Sequence, residues 1–158
     1  MHLATTIVYA LALLLYATWF GIAVYMVIAP CYDKLSASTF IEWFQKIDPY
    51  MKVRARQLLL GQLLLTLLLL GLTLDRLPSL AFWLTAVALL ATTVAMVIAV
   101  RGNVPINRQM DKWATTTPPA DWEQVRDRWL RYHSQRGFAE SAGFLAMLVA
   151  TLLHAGGA

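Results

Sequence analysis

Trp122, Arg126, Trp129, His133, Arg136, Glu140 and Gly143 follow one another at steps of four and three. That spacing sets side chains along one face of an α-helix. An apolar seam is the usual occupant of such a face, yet this one carries two tryptophans, two arginines, a histidine and a glutamate. Histidine titrates near neutral pH and can move a proton. Glu140 stands at the edge of an uncharged run that opens at Ser141. An ionisable group there is costly and needs a partner. Arg136 is one candidate, although arginine before glutamate is the weaker order for a helical pair; a residue of another helix is the other.

A second set lies in the stretch "RGNVPINRQMDKW", Arg101 to Trp113, where Asn103 and Asn107 flank Pro105. Each amide offers both a donor and an acceptor. They either cap a loose helix end or bind a polar substrate group in a cytoplasm-facing mouth. A third set is Thr5, Tyr9, Ala12, Tyr16, Trp19, Ala23, Met26 and Pro30, again at steps of four and three. Tyrosine hydroxyls deep in a membrane need hydrogen-bond partners, so this face turns inward. Thr85, Thr92, Met96, Ala99 and Asn103 form a small, polar stripe that leads to the asparagine pair.

The elements that position these residues follow from composition. The chain has 158 residues, enough for one domain with a core. It is 59% hydrophobic and 14% charged, against about 25% charged in a soluble domain. Leu3–Ala29, Gln57–Leu74, Leu77–Val100 and Ser141–Ala158 are uncharged windows, and about 18–20 apolar residues span a bilayer core as a helix. The fold predicted is all-α: a four-helix transmembrane bundle, one integral membrane domain over 1–158. Its spans cover about 3–29, 54–74, 78–101 and 137–156. A cytoplasmic amphipathic helix over about 120–136 runs into the fourth, with Asp121 as N-cap or first-turn acid. The first span lacks a basic n-region and exceeds a signal-peptide h-region of about 7–15 residues. Pro105 predicts an end to helix three near Gly102, and with Pro118 and Pro119 a largely extended 104–119.

All but Arg76 of the 13 Lys and Arg fall in loops one and three. The positive-inside rule puts loops 30–53 and 102–136 in the cytoplasm and both termini outside, in a plasma or inner membrane. The net charge of +4 is then a topology signal. No aromatic-basic platform for nucleic acid is present, and nothing fixes an oligomeric state. The single cysteine, Cys31, excludes an internal disulfide and is expected to be a packed small residue.

In order along the chain, "YMVIAP" at the end of helix one, "KIDP" before helix two, "NVPIN" after helix three and "DWEQVRDRWLRYHSQR" before helix four resemble the anthrone oxygenase-like family of small integral membrane proteins. That family often has threonine or another non-glycine residue after the arginine matching Arg136; here it is Gly137. The resemblance implies a membrane oxygenase that converts an activated methylene of a flat, phenolic, hydrophobic aromatic to a quinone carbonyl with dioxygen. The reaction requires a base, donors that hold an enolate oxygen and access for dioxygen. No redox metal is strictly required and no cofactor is expected; for such a reaction His133, the one histidine at the basic surface, is the expected base, Arg136 the stabiliser of the enolate charge with Glu140 in the catalytic set, Asn103 and Asn107 orienting amides, and Trp129 a stacking surface. Arg126, Tyr16 and Trp19 complete the expected substrate-binding set.

Other readings stand beside it. Arg126, Arg128 and Arg131 suit lipid headgroups, and Trp113, Trp122 and Trp129 suit an interfacial aromatic belt. A metal- or haem-dependent oxidoreductase is the second possibility, with His2 and His154 both at the outer ends of helices. A protein that binds lipid, quinone or a partner helix without catalysis is the third, with Gly61 and Gly71 serving close helix packing.

Overall fold

The computed structural model describes residues 2–28 and 31–156. Five α-helices form it: α1 (His2–Ile28), α2 (Ala37–Leu72), α3 (Leu80–Ile98), α4 (Val104–Met110) and α5 (Trp122–Ala155). Four stretches are long and apolar enough to cross a membrane: Leu3–Met26, Ala37–Leu72, Leu80–Met110 and Trp122–Ala155. The protein is an all-α integral membrane protein. Leu11, Leu14, Leu64, Leu90, Leu145 and Leu152 point outward, as lipid-facing leucines should, since a bilayer removes any penalty for exposing them.

The helices make a four-sided bundle. α5 packs most heavily on α3 and α1, while α2 packs on α1 and α3. Small residues permit the close approach: Ala88, Ala91 and Ala95 of α3, Ala99 just beyond it, and Ala146 and Ala150 of α5 are all buried. At Gly143 a Cβ would stand 3.0 Å from the Tyr16 ring and 3.2 Å from the Ala91 Cβ, so a larger residue would press these neighbours aside by a few tenths of an ångström. The diagonals of the square are crossed by polar bonds. Tyr9 of α1 meets Thr85 of α3 at 3.2 Å, and Tyr16 meets Thr92 at 2.8 Å. Gln62 of α2 reaches Glu140 of α5 at 3.3 Å. A bilayer offers few partners for such groups, and these bonds satisfy the tyrosine hydroxyls and one side of the Gln62–Glu140 pair.

Three expectations about helix ends are corrected. The stretch expected as loop 30–53 is mostly helical over its described residues 31–53: a short 3-10 turn, Tyr32–Lys34, is followed by α2 from Ala37, which runs through Pro49. Pro49 forfeits a backbone bond, but Phe40, Ile41, Phe44 and Asp48 are buried from the same pre-proline segment, and that packing outweighs the loss. Helix three does not end near Gly102. Residues Ala99–Asn103 widen into a π-turn, with the Val104 N–H bonded to the Ala99 carbonyl, and α4 follows directly. Pro105 sits in the first turn of α4, where a missing N–H costs little. The 104–119 segment is therefore helical to Met110 and irregular only beyond it.

α5 is continuous from Trp122 to Ala155, and Gly137 does not interrupt it. Asp121 precedes its first residue but makes no side-chain cap bond. Cys31 is exposed, not packed. It occupies the turn between α1 and α2, where the neighbouring Tyr32 is the side chain that enters the core. Pro30 lies outside the described residues, as does the side chain of His2.

Candidate functional site

The chemical face of α5 turns inward. Arg126, Trp129, Glu140 and Gly143 are buried and Trp122, His133 and Arg136 are half-buried. Two polar groupings arise along it.

The first is at the basic end of the bundle. Asp48, buried in α2, accepts a 2.6 Å bond from the Asn107 side-chain amide of α4. The oxygen of that amide accepts the Trp129 indole N–H at 2.8 Å. Lys52 pairs with both Asp48 and Asp111. Asn103 donates to the Trp129 carbonyl at 3.3 Å. Gln45 donates to the Trp113 carbonyl at 2.8 Å and to the Met110 carbonyl at 3.2 Å, closing backbone acceptors that the end of α4 leaves open. Three helices are thus pinned together through Trp129. Its ring is surrounded edge-on by Tyr32, Phe40, Trp43 and Phe44, and it lies 4.0 Å from the His133 ring, centroid to centroid. Trp129 is 5% exposed. It offers no open face for a ligand to stack on and instead backs His133. Asn107 has both ends of its amide engaged, so its role here is to set Trp129.

The second grouping lies deeper. His133, Arg136, Gly137 and Glu140 of α5 and Trp19, Ile22, Ala23 and Met26 of α1 line a cavity of about 20 Å³, enough for about one water. Arg136 lies 4.9 Å over the Trp19 ring, a cation–π contact, and its Nη2 is 3.2 Å from His133 Nδ1. A guanidinium can only donate. His133 Nδ1 is therefore the acceptor, and its proton resides on Nε2. The partner that Glu140 requires is Gln62, not Arg136. The second carboxylate oxygen, Glu140 Oε1, and the indole nitrogen of Trp19 are buried with no hydrogen-bond partner among the described residues.

Of the remaining expected residues, Tyr16 lies beneath this cavity and braces the bundle. Its hydroxyl donates to the Ala88 carbonyl at 3.0 Å and meets Thr92 and Thr66. Arg126 is at the basic end, 4.8 Å over the Trp122 ring and bonded to Asp127. His154 is buried at the opposite end, stacked on Tyr9 with Thr6 at 3.2 Å. Among the described residues, no group of three His, Cys, Asp or Glu could hold a metal ion. Asp48, Gln62 and Gln45 are partners that sequence reasoning did not single out. A signal existed for two of them: Asp48 lies in the "KIDP" motif, and Gln62 interrupts a run of leucines.

A small four-span bundle with an inward histidine, arginine and glutamate on its last helix defines the class of protein. A profile of the anthrone oxygenase family matches residues 50–146. The chain belongs to the anthrone oxygenase family. The match takes in Gln62, the asparagine pair, Trp129 and the whole His133–Glu140 segment. No curated protein and no solved structure matches the chain.

Proposed function

We propose that the protein is a membrane oxygenase that acts on a hydrophobic phenolic, anthrone-like aromatic with dioxygen. The observation that carries this reading is the single small cavity shared by Glu140, Arg136, His133 and Trp19, in a chain of this family. The cavity is too small for a three-ring molecule, so the rings lie at the α1–α5 wall and only the reacting edge reaches inward.

The roles follow from which atoms are committed. His133 Nε2 carries a proton and presents a donor, so the part of base passes to Glu140, whose Oε1 is unengaged. Glu140 takes a proton from the activated methylene. Arg136 and the His133 N–H hold the negative charge that develops on the enolate oxygen. The substrate anion gives its electrons to dioxygen, a carbon–oxygen bond forms, and loss of water leaves the carbonyl. One substrate and one dioxygen thus yield one quinone and one water. Asn103, Asn107 and Trp129 act behind this set by fixing His133. The charge distribution further supports the basic end facing the cytoplasm, with both termini outside.

Oxygen uptake by the purified protein with an anthrone tests the reading. Uptake with one quinone formed per dioxygen, retained after chelation, is the expected result. Loss on chelation with recovery on one added metal would replace it with a metal-dependent oxidoreductase. The small cavity favours one further reading, a protein that holds a lipid or quinone oxygen without turnover; absence of uptake with any activated phenolic substrate selects it.

A further inference from the structure

Two buried atoms on one small cavity remain unexplained by the packing. Trp19 is 2% exposed and Glu140 is 1% exposed, and each keeps one polar atom without a partner among the described residues: an N–H on Trp19 and the oxygen Oε1 on Glu140. Both residues line the same cavity, which has a volume of about 20 Å³. A buried polar group left unpaired is costly, and membrane interiors offer little water to relieve it. One is a donor and the other an acceptor. A single oxygen that carries a hydrogen answers both, accepting from the indole and donating to the carboxylate. A carbonyl or ether oxygen answers only the first.

The wall on the lipid side suits a ligand that inserts one atom and leaves its body outside. Gly137 faces Ala23 there, and a Cβ at 137 would stand 3.2 Å from the alanine methyl. Ile22, Ala23 and Met26 are half-buried and give the opening an apolar rim.

We propose that this cavity is a hydroxyl seat, which receives the hydroxyl group of a phenolic ligand between Trp19 and Glu140 while its aromatic body lies against α1 and α5. The assignment rests on the oxygenase reading for its biological substrate: the seated hydroxyl is the bound pose before turnover, and Glu140 Oε1 takes the methylene proton only after that hydroxyl has left it. Water carries the same hydrogen-bonding groups and is the competing occupant.

The test uses 2-naphthol and its methyl ether, 2-methoxynaphthalene, neither of which is an anthrone. The full-length protein, labelled at its six tryptophan indoles, is titrated in detergent or nanodiscs, and the Trp19 indole signal is assigned by its loss in Trp19→Phe. Phenylalanine keeps a ring beneath Arg136 and removes the N–H. In Glu140→Gln the Gln62 N–H can keep the amide oxygen as its acceptor, which turns an N–H to the cavity; Glu140→Leu removes the acceptor whichever way the amides face. In the wild type, 2-naphthol shifts the Trp19 signal and binds about tenfold or more tighter than the ether, the scale of one buried hydrogen bond. In Trp19→Phe both compounds lose the indole contact and bind more weakly while the preference for the hydroxyl persists, whereas in Glu140→Gln and Glu140→Leu the difference falls to within about threefold; the remaining indole signals hold their positions and report an intact fold. Equal affinities in the wild type, or a preference that survives loss of the Glu140 acceptor, overturns the proposal. So does a Trp19 signal that neither compound moves, which leaves water as the sole occupant. Hydroxyl discrimination without oxygen uptake would remove the oxygenase reading and leave the seat; uptake without discrimination would do the reverse.

Discussion

Arg136 Nη2 lies 3.2 Å from His133 Nδ1. Since the guanidinium has donors only, this contact fixes the histidine tautomer and turns its other nitrogen into a donor. In the proposed oxygenase, the residue that looks most like a base in the sequence would act as an electrophile, and the carboxylate one helical turn beyond Arg136 would accept the proton. The two roles separate experimentally. Glu140→Gln should lower turnover by about 100–10,000-fold, the usual contribution of a general base. His133→Gln places an amide N–H near the position of Nε2 and should retain at least about tenfold more activity than His133→Ala. Equal loss in the glutamine and alanine variants, with Glu140→Gln still active, would return the role of base to His133.

Asp48, Asn107 and Trp129 form one chain of bonds, at 2.6 and 2.8 Å, that joins α2, α4 and α5. Removing one member leaves another buried and unpaired, which costs about 1–3 kcal/mol. Asp48→Ala and Asn107→Ala should each destabilise the protein by that amount. Because they share one bond, the double variant should fall short of additivity by about 0.5–3 kcal/mol. Detergent-induced unfolding followed by tryptophan fluorescence measures it, and strict additivity would show that the chain carries no coupling.

Gly102 lies in the π-turn, where a Cβ would stand 2.5 Å from the Tyr132 ring. Gly102→Ala should therefore destabilise by about 1–3 kcal/mol through overpacking. Most of that loss should return when Tyr132→Ala is added, because the clash is with one side chain. Thermal melts of the single and double variants decide it; a neutral Gly102→Ala would mean that the turn yields.

Tyr32, in the turn before α2, is 6% exposed. Burial first, and then its neighbours Tyr25 and Cys31, push its phenol up to about 12 from the ordinary 10.0. A raised acid constant means that the folded state holds the proton more tightly. The associated stability is complete below pH 10 and is lost as pH rises towards 12. Tyr32→Phe should lose less stability than the wild type across that window, and ultraviolet titration should show one late-ionising tyrosine fewer. Identical alkaline profiles for the two proteins would exclude this role.

The number of spans, the basic end and the inward face of α5 were legible in the sequence because each depends on local quantities. The length of an apolar run measures a bilayer, and a four–three repeat fixes which side chains share a helical face whatever that helix packs against. The same locality made the proline signals misleading. Pro49 and Pro105 each forfeit a backbone bond, but packing of α2 and a π-turn before α4 carry both segments on as helix. Only the tertiary structure decided who meets whom across the bundle. Glu140 finds Gln62, 78 positions away in sequence, and Asn107 finds Asp48, 59 away. Such pairs depend on the rotation and vertical offset of one helix against another, which small residues such as Gly143 and Ala91 set by how closely they let the backbones approach. A sequence shows that a buried carboxylate needs a partner; the packed helices choose which one it gets, and which of its oxygens is left for a ligand.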